Sequence, residues 1–171
     1  MQRENEAYLK SEELKTQKRQ DEERLLTIRN EQLVKIENKI NTEMKSINDL
    51  LYKEEYNSPL IHFSDSGYIF TTPDDTGTGI AYKGLVVFDL AILHLTRLPI
   101  LVHDSVVLKQ ISDDAIENIM KQYIACGKQT IIAFDKQQSY SEKTSKLLEE
   151  HSVLKLAPNG QELFGRSWGK H

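Results

Sequence analysis

The sequence predicts an α/β protein in which a long N-terminal coiled-coil helix is followed by an α/β lobe with a partly parallel sheet. Three observations carry this. Residues 1–56 contain neither proline nor glycine, are crowded with charge, and place Leu26, Leu33, Ile40 and Ile47 at a strict seven-residue step. The composition then changes at Asn57-Ser58-Pro59. Beyond it, two short apolar runs, ILVHD (Ile100 to Asp104) and TIIAF (Thr130 to Phe134), flank a helical pattern. Strand, helix, strand in that order pairs the strands in parallel through a crossover.

The helix comes first. A heptad of large apolar residues, with Ile36, Met44 and Leu50 or Leu51 as companions, is the seam of a coiled coil. At about 1.5 Å per residue such a helix extends roughly 80 Å, longer than a small globular domain contains. The seam thins before Leu25, leaving Tyr8, Leu9 and Leu14. Two units follow from this reading, a coiled-coil stem over 1–56 and a lobe over 57–171. The seam predicts pairing with a second helix, from another copy or from an arm of the same protein.

The lobe opens with LIHFSDSGYIFTT, which reads as a hairpin of Leu60 to Phe63 and Tyr68 to Thr71 around the turn Ser64 to Gly67. PDDTGTG follows as a loop. Leu85 to Leu95 is apolar on nearly every side and predicts a helix buried all round. ILVHD has the unbroken apolar run of a strand covered on both faces, and TIIAF is a second of the same kind. Between them Ser112, followed by Asp113, Asp114 and Glu117, starts a helix that Gly127 stops. A further helix spans Ser141 to His151, and VLKL (Val153 to Leu156) and the residues around Leu163 finish the chain as strands about the turn Pro158-Asn159-Gly160. Phe164 and Trp168 read as packing residues.

Composition excludes several classes. The chain has 171 residues, a net charge of −4 and a pI near 5.8, so no basic footprint for nucleic acid shows at whole-chain level, and any DNA contact is local. A single cysteine, Cys126, gives no intrachain disulfide and no multi-cysteine zinc site, which fits a reducing, cytoplasmic setting. No apolar run reaches the roughly 18 residues of a membrane span, and the N-terminus is too polar for a signal peptide.

The chemistry concentrates in two places. TGTGIAYKGL, Thr76 to Leu85, resembles a phosphate-binding turn: glycines at a helix start let backbone N–H groups converge on an anion, aided by the helix dipole. It lacks the lysine that a G-x-x-x-x-G-K-[ST] loop uses against the β and γ phosphates. Asp104 ends a buried strand, where α/β sheets meet their ligands. GQELFGRS, Gly160 to Ser167, imitates a phosphate loop but leaves only four residues for the helix that must follow. Asp89 and His94 interrupt an apolar helix and read as partnered polar groups. His103 either lines the site beside Asp104 or points into the core from the strand's other face.

A glycine-rich turn, an apolar helix, the hhhhD strand, a helix and a second strand is also the order of the second half of an ABC-type ATPase head. On these residues the chain resembles the C-terminal head lobe and coiled-coil stem of SMC/RecF-like ABC ATPases, and most closely an uncharacterised bacterial branch whose strand reads HDS, as His103-Asp104-Ser105 does. The resemblance implies half of a P-loop head. Thr76, Gly77, Thr78 and Gly79 would stand at the signature loop, with Lys83 and His103 alongside; Asp104 would be the magnesium-strand aspartate and Asp135 would lie near the switch histidine. Ser105 stands where these ATPases carry a catalytic glutamate, and a serine is no general base at neutral pH. ATP and Mg²⁺ would bind only in the complete head, with an N-terminal phosphate-loop half as partner, heads and coiled coils forming a homodimer, and DNA repair or defence as the setting. The alternative is a catalytically degenerate coiled-coil scaffold or dimerisation module.

Overall fold

The computed structural model describes residues 2–52, 56–74, 77–134 and 140–165. Helix α1 runs from Gln2 to Tyr52, as the absence of breakers requires. Its exposed half carries helix-spaced pairs such as Lys18–Glu22 at 3.8 Å, the kind of contact that supports a solvated helix. Its last turns behave differently. Ile40, Met44, Ile47 and Leu51 lie on one face and are buried against the chain's own lobe. The seven-residue step is therefore not one seam: Leu26 remains 51% exposed while Ile47 is 1% exposed. The expectation that all four heptad residues pair with another helix is corrected for Ile40 and Ile47, because the chain's own lobe already buries them.

Strands β1 (Leu60–Ser64) and β2 (Gly67–Thr71) form the expected antiparallel hairpin, with Ile61 opposite Phe70. The hairpin lies against α1. Side chains of α1 serve as its hydrogen-bonding neighbour: Asn41 bonds both backbone groups of Ile61, and the Glu37 carboxylate accepts from the Phe63 N–H at 2.8 Å.

Helix α2 spans Thr78–Leu95. Val86, Val87, Leu90, Ala91 and Leu93 are buried, yet Leu85 and Leu95 are exposed, so the helix is covered on one broad face and not all round. Its C-terminal carbonyls are capped from a distance, the Lys128 ammonium donating to the carbonyls of Leu93 and Thr96, where the helix dipole favours a cation.

Strand β3 (Ile100–His103), the single turn α3 (Ser105–Leu108), helix α4 (Asp113–Ala125) and strand β4 (Gln129–Ile132) follow. The two strands are parallel, with Leu101 beside Thr130, which is the predicted crossover. Gly127 takes the left-handed backbone at φ 65°, the conformation that lets α4 stop and the chain turn into β4. Neither strand is covered on both faces. Ile100, Val102 and Ile131 point outward and are 40%, 64% and 49% exposed, while His103 and Ile132 face the helices. Helix α5 (Glu142–Glu150) starts at Ser141, whose hydroxyl accepts from the Thr144 N–H. VLKL is not a strand: Val153, Leu154 and Leu156 are exposed, and only the bridge Ala157–Gln161 forms beyond α5 among the described residues. Phe164 is 64% exposed and lies outside the buried core, and Trp168 lies outside the described residues.

One core results, built from the last turns of α1, the inner faces of α2 and α4, and Leu108 and Ile111 between them. Among the described residues, no helix is long and apolar enough to cross a membrane.

Candidate functional site

The glycine turn and the aspartate strand come from different elements, and α2 brings both to one framework. Gly77 is the N-cap of α2, with ordinary extended backbone at φ −72° and ψ 145° and no side-chain capping bond. Its carbonyl accepts from the N–H groups of Ile80 and Ala81 at 3.0 and 3.3 Å, which starts the helical ladder; the N–H groups before them have no acceptor within the helix itself. Gly79 has a packing reason to be glycine. A Cβ there would stand 2.9 Å from the carbonyl oxygen of Gln110, on the link between α3 and α4. At Gly77 a Cβ would meet only the Ile80 side chain, at 3.2 Å. Thr76 and Asp135 lie outside the described residues, as does the side chain of Thr78.

Lys83 is not a solvated surface charge. It is buried, and its ammonium lies 4.0 Å from the ring centre of Tyr52 and 4.2 Å from that of Tyr56. The cation is held by π faces at the junction of α1 and the lobe, an arrangement favourable once water is excluded. Burial pushes the Tyr52 phenol well above its ordinary range.

Asp104 follows β3 and is exposed. It caps the short turn α3: its Oδ1 accepts from the Ser105 N–H at 2.6 Å and from the Ser105 hydroxyl at 3.3 Å. The carboxylate is thus oriented by the residue after it, at the carboxyl end of a parallel strand. Among the described residues no group of three His, Cys, Asp or Glu side chains converges as a metal cage. A hard divalent cation at Asp104 would need most of its oxygen ligands from elsewhere.

His103 lies 4% exposed on the core face of β3. Both its nitrogens are engaged, Nε2 with Asp89 Oδ2 at 2.8 Å and Nδ1 with the Tyr123 hydroxyl at 2.5 Å. Asp89 and His94 are both partnered, but His94 is exposed rather than buried: its Nδ1 lies 2.9 Å from Glu43 on α1. Tyr123 was not singled out by the sequence, since a tyrosine on the apolar face of α4 carries no signal of its own.

The fold has a counterpart among solved structures. A chain described under "Structural biochemistry of ATP-driven dimerization and DNA stimulated activation of SMC ATPases" aligns with a TM-score of 0.51 at 11% identity, covering 72% of this chain and 79% of that one. The shared architecture is an α/β arrangement with a long helix, which the sequence resemblance implied. No curated protein matches the chain. A family model described as "Uncharacterised protein conserved in bacteria (DUF2326)" matches residues 11–168, stem and lobe together, and the chain belongs to that family.

Proposed function

We propose that the chain is the C-terminal portion of an SMC-like coiled-coil ABC ATPase, contributing a signature-like turn and a magnesium-strand aspartate to a composite ATP site. The observation that carries this reading is the bare outer face of the β3–β4 pair. Parallel sheets occur almost only with both faces covered, yet Ile100, Val102 and Ile131 stand open here. A phosphate-loop half that extends the sheet at its edge and packs a helix on this face would cover them and meet Asp104 at the strand's end. The fold likeness to SMC ATPases, whose description names ATP-driven dimerisation and DNA-stimulated activation, supports the same assignment.

In this reading Asp104 would be the residue of this chain that holds Mg²⁺, its carboxylate oriented by Ser105, with the remaining oxygen ligands supplied from outside the chain. The ion would supply charge neutralisation at the phosphates. The turn Thr76 to Gly79 closes over a phosphate bound by a second head, using the open N-terminal amides of α2 and its dipole. Lys83, buried beneath two tyrosines, holds the base of that helix to the stem. Asp135 would belong to the switch region. The heads dimerise, the exposed part of the stem pairs with an arm, and the work done is on DNA, in repair or defence. Ser105 in place of a catalytic glutamate favours a second reading, a scaffold that kept the fold and lost hydrolysis.

The test joins this chain to a phosphate-loop half and replaces Gly77, where an added Cβ presses only on the movable end of the Ile80 side chain, by Gln. ATP binding to each head should persist while ATP-dependent dimerisation disappears. Unchanged dimerisation rejects the signature role, and dimerisation without turnover in the unaltered head selects the scaffold.

A further inference from the structure

We propose that Asp89, His103 and Tyr123 form a positioning relay that fixes the glycine-turn helix α2 against the strand carrying Asp104, through one defined imidazole tautomer. The three residues come from three elements, α2, β3 and α4, and the imidazole joins them at its two nitrogens. The direction of the bonds follows from the donors. An ionised carboxylate only accepts, so the Nε2 facing Asp89 carries its hydrogen. Tyr123 retains its phenolic proton, because burial first, and then the negative charge of Asp89, push it far above its ordinary range. In a neutral imidazole whose hydrogen sits on Nε2, Nδ1 has only its lone pair to offer, so the phenol donates to it. Protons point one way, from phenol to imidazole to carboxylate.

Packing alone gives no reason for these residue types. The other residues of β3 are Ile100, Leu101 and Val102, and an aliphatic side chain at position 103 would fill the same core without desolvating a carboxylate, an imidazole and a phenol. Burying such groups is costly unless each is bonded, and when each is bonded they fix orientation more narrowly than apolar contact does. The relay is one of two points that set α2. The other is Gly79, which abuts the Gln110 carbonyl. Between them, α2 cannot slide or rotate along β3 without breaking a bond or a contact. For the composite ATP site, this role rests on the function proposed above: the relay would hold the turn that reaches one site at a set position relative to the aspartate serving another.

The experiment uses the full chain with ¹⁵N-labelled histidine. The expected spectrum shows His103 with an acceptor-type Nδ1, a hydrogen-bearing Nε2 and a slowly exchanging ring hydrogen; an Nδ1–H tautomer overturns the proposal. In Asp89→Leu, amide exchange in the first turns of α2 and in 105–108 should quicken by about tenfold or more, the β1–β2 hairpin remaining unchanged. Asp89→Asn, whose carbonyl still accepts from Nε2, should restore protection. Tyr123→Phe gives a second variant should Asp89→Leu fail to fold: it should quicken exchange in the same segments while Asp89 keeps the hydrogen on Nε2. Exchange that stays at the wild-type rate in both variants overturns the relay. Joined to a phosphate-loop half, an unaltered head without ATP-dependent engagement removes the ATP reading and leaves the relay intact, whereas engagement unaffected by these variants removes the relay's role in it.

Discussion

Asn41 pairs with Ile61 as a neighbouring strand would: its Nδ2 donates to the Ile61 carbonyl at 2.9 Å, and its Oδ1 accepts from the Ile61 N–H at 2.9 Å. A side chain of the stem helix thus completes the edge of β1. With Asn48, whose Nδ2 donates to the Tyr56 carbonyl at 2.8 Å, it anchors α1 in the lobe along the face that also buries Met44 and Ile47.

Replacing Asn41 by Leu removes both bonds and leaves a part-buried donor and acceptor on β1. The expected cost is about 1–3 kcal/mol, since orphaned backbone groups lose more than the net value of their bonds. Urea unfolding measures it, and faster amide exchange at Ile61 identifies the cause.

The two glycines of the turn should respond oppositely. In an ordinary helix interior, glycine to alanine stabilises by about 0.5–1 kcal/mol. At Gly79 the added Cβ meets the Gln110 carbonyl at 2.9 Å, so Gly79→Ala should instead destabilise, by about 1–3 kcal/mol, as overpacking does. Gly77→Ser places a capping hydroxyl at an uncapped helix start and should be neutral or slightly stabilising. Thermal melts of the two variants decide the matter.

Acid should loosen the contact between α4 and α5. The Glu117 carboxylate meets Lys121 and Lys143, each at 2.7 Å, and these hydrogen bonds hold it below its ordinary value of 4.5. A lowered folded-state value means that its contribution is complete above pH 4.5 and is lost as the pH falls through the folded value. Glu37, lowered first by the Phe63 N–H, acts in the same direction. Glu117→Gln should be less stable than wild type at neutral pH, and the difference should close below pH 4.5. Urea midpoints across pH test it.

The heptad residues should divide by position. Ile47→Ala opens a cavity in the lobe and should cost about 2–5 kcal/mol. Leu26→Ala should change the stability of a single chain by no more than about 0.5 kcal/mol. Sedimentation should show Leu26→Ala weakening helix pairing, since its side chain is the exposed one.

Much of this molecule is written locally. Without glycine or proline, residues 2–52 have no reason to leave the helix; the hairpin follows from alternation about Asp65-Ser66-Gly67; and Gly127 marks the end of α4 through its left-handed backbone. The glycine turn and Asp104 stand out in the sequence because their residue types are unusual beside apolar runs, and the structure places Gly77 at the N-cap of α2 and Asp104 at the N-cap of α3. Burial was read less well. The runs at 85–95 and 100–104 suggested complete enclosure, but an apolar run records what a segment can bury and not which face the rest of the chain covers; in the structure Leu85 and Val102 remain open.

The sequence by itself determined the stem helix, the hairpin, the helices α2, α4 and α5 and the parallel pairing of β3 with β4, because periodicity, caps and breakers act within a few residues; it did not show the short turn α3, and it suggested a strand at VLKL that does not form. Only the tertiary structure decided that Ile40 and Ile47 serve the lobe while Leu26 stays outside, that Gly79 is required by the carbonyl of Gln110, and that His103 stands between Asp89 and Tyr123. These are contacts between residues far apart in the chain. Their partners are chosen by which surfaces meet when the layers pack, and no local pattern encodes that choice.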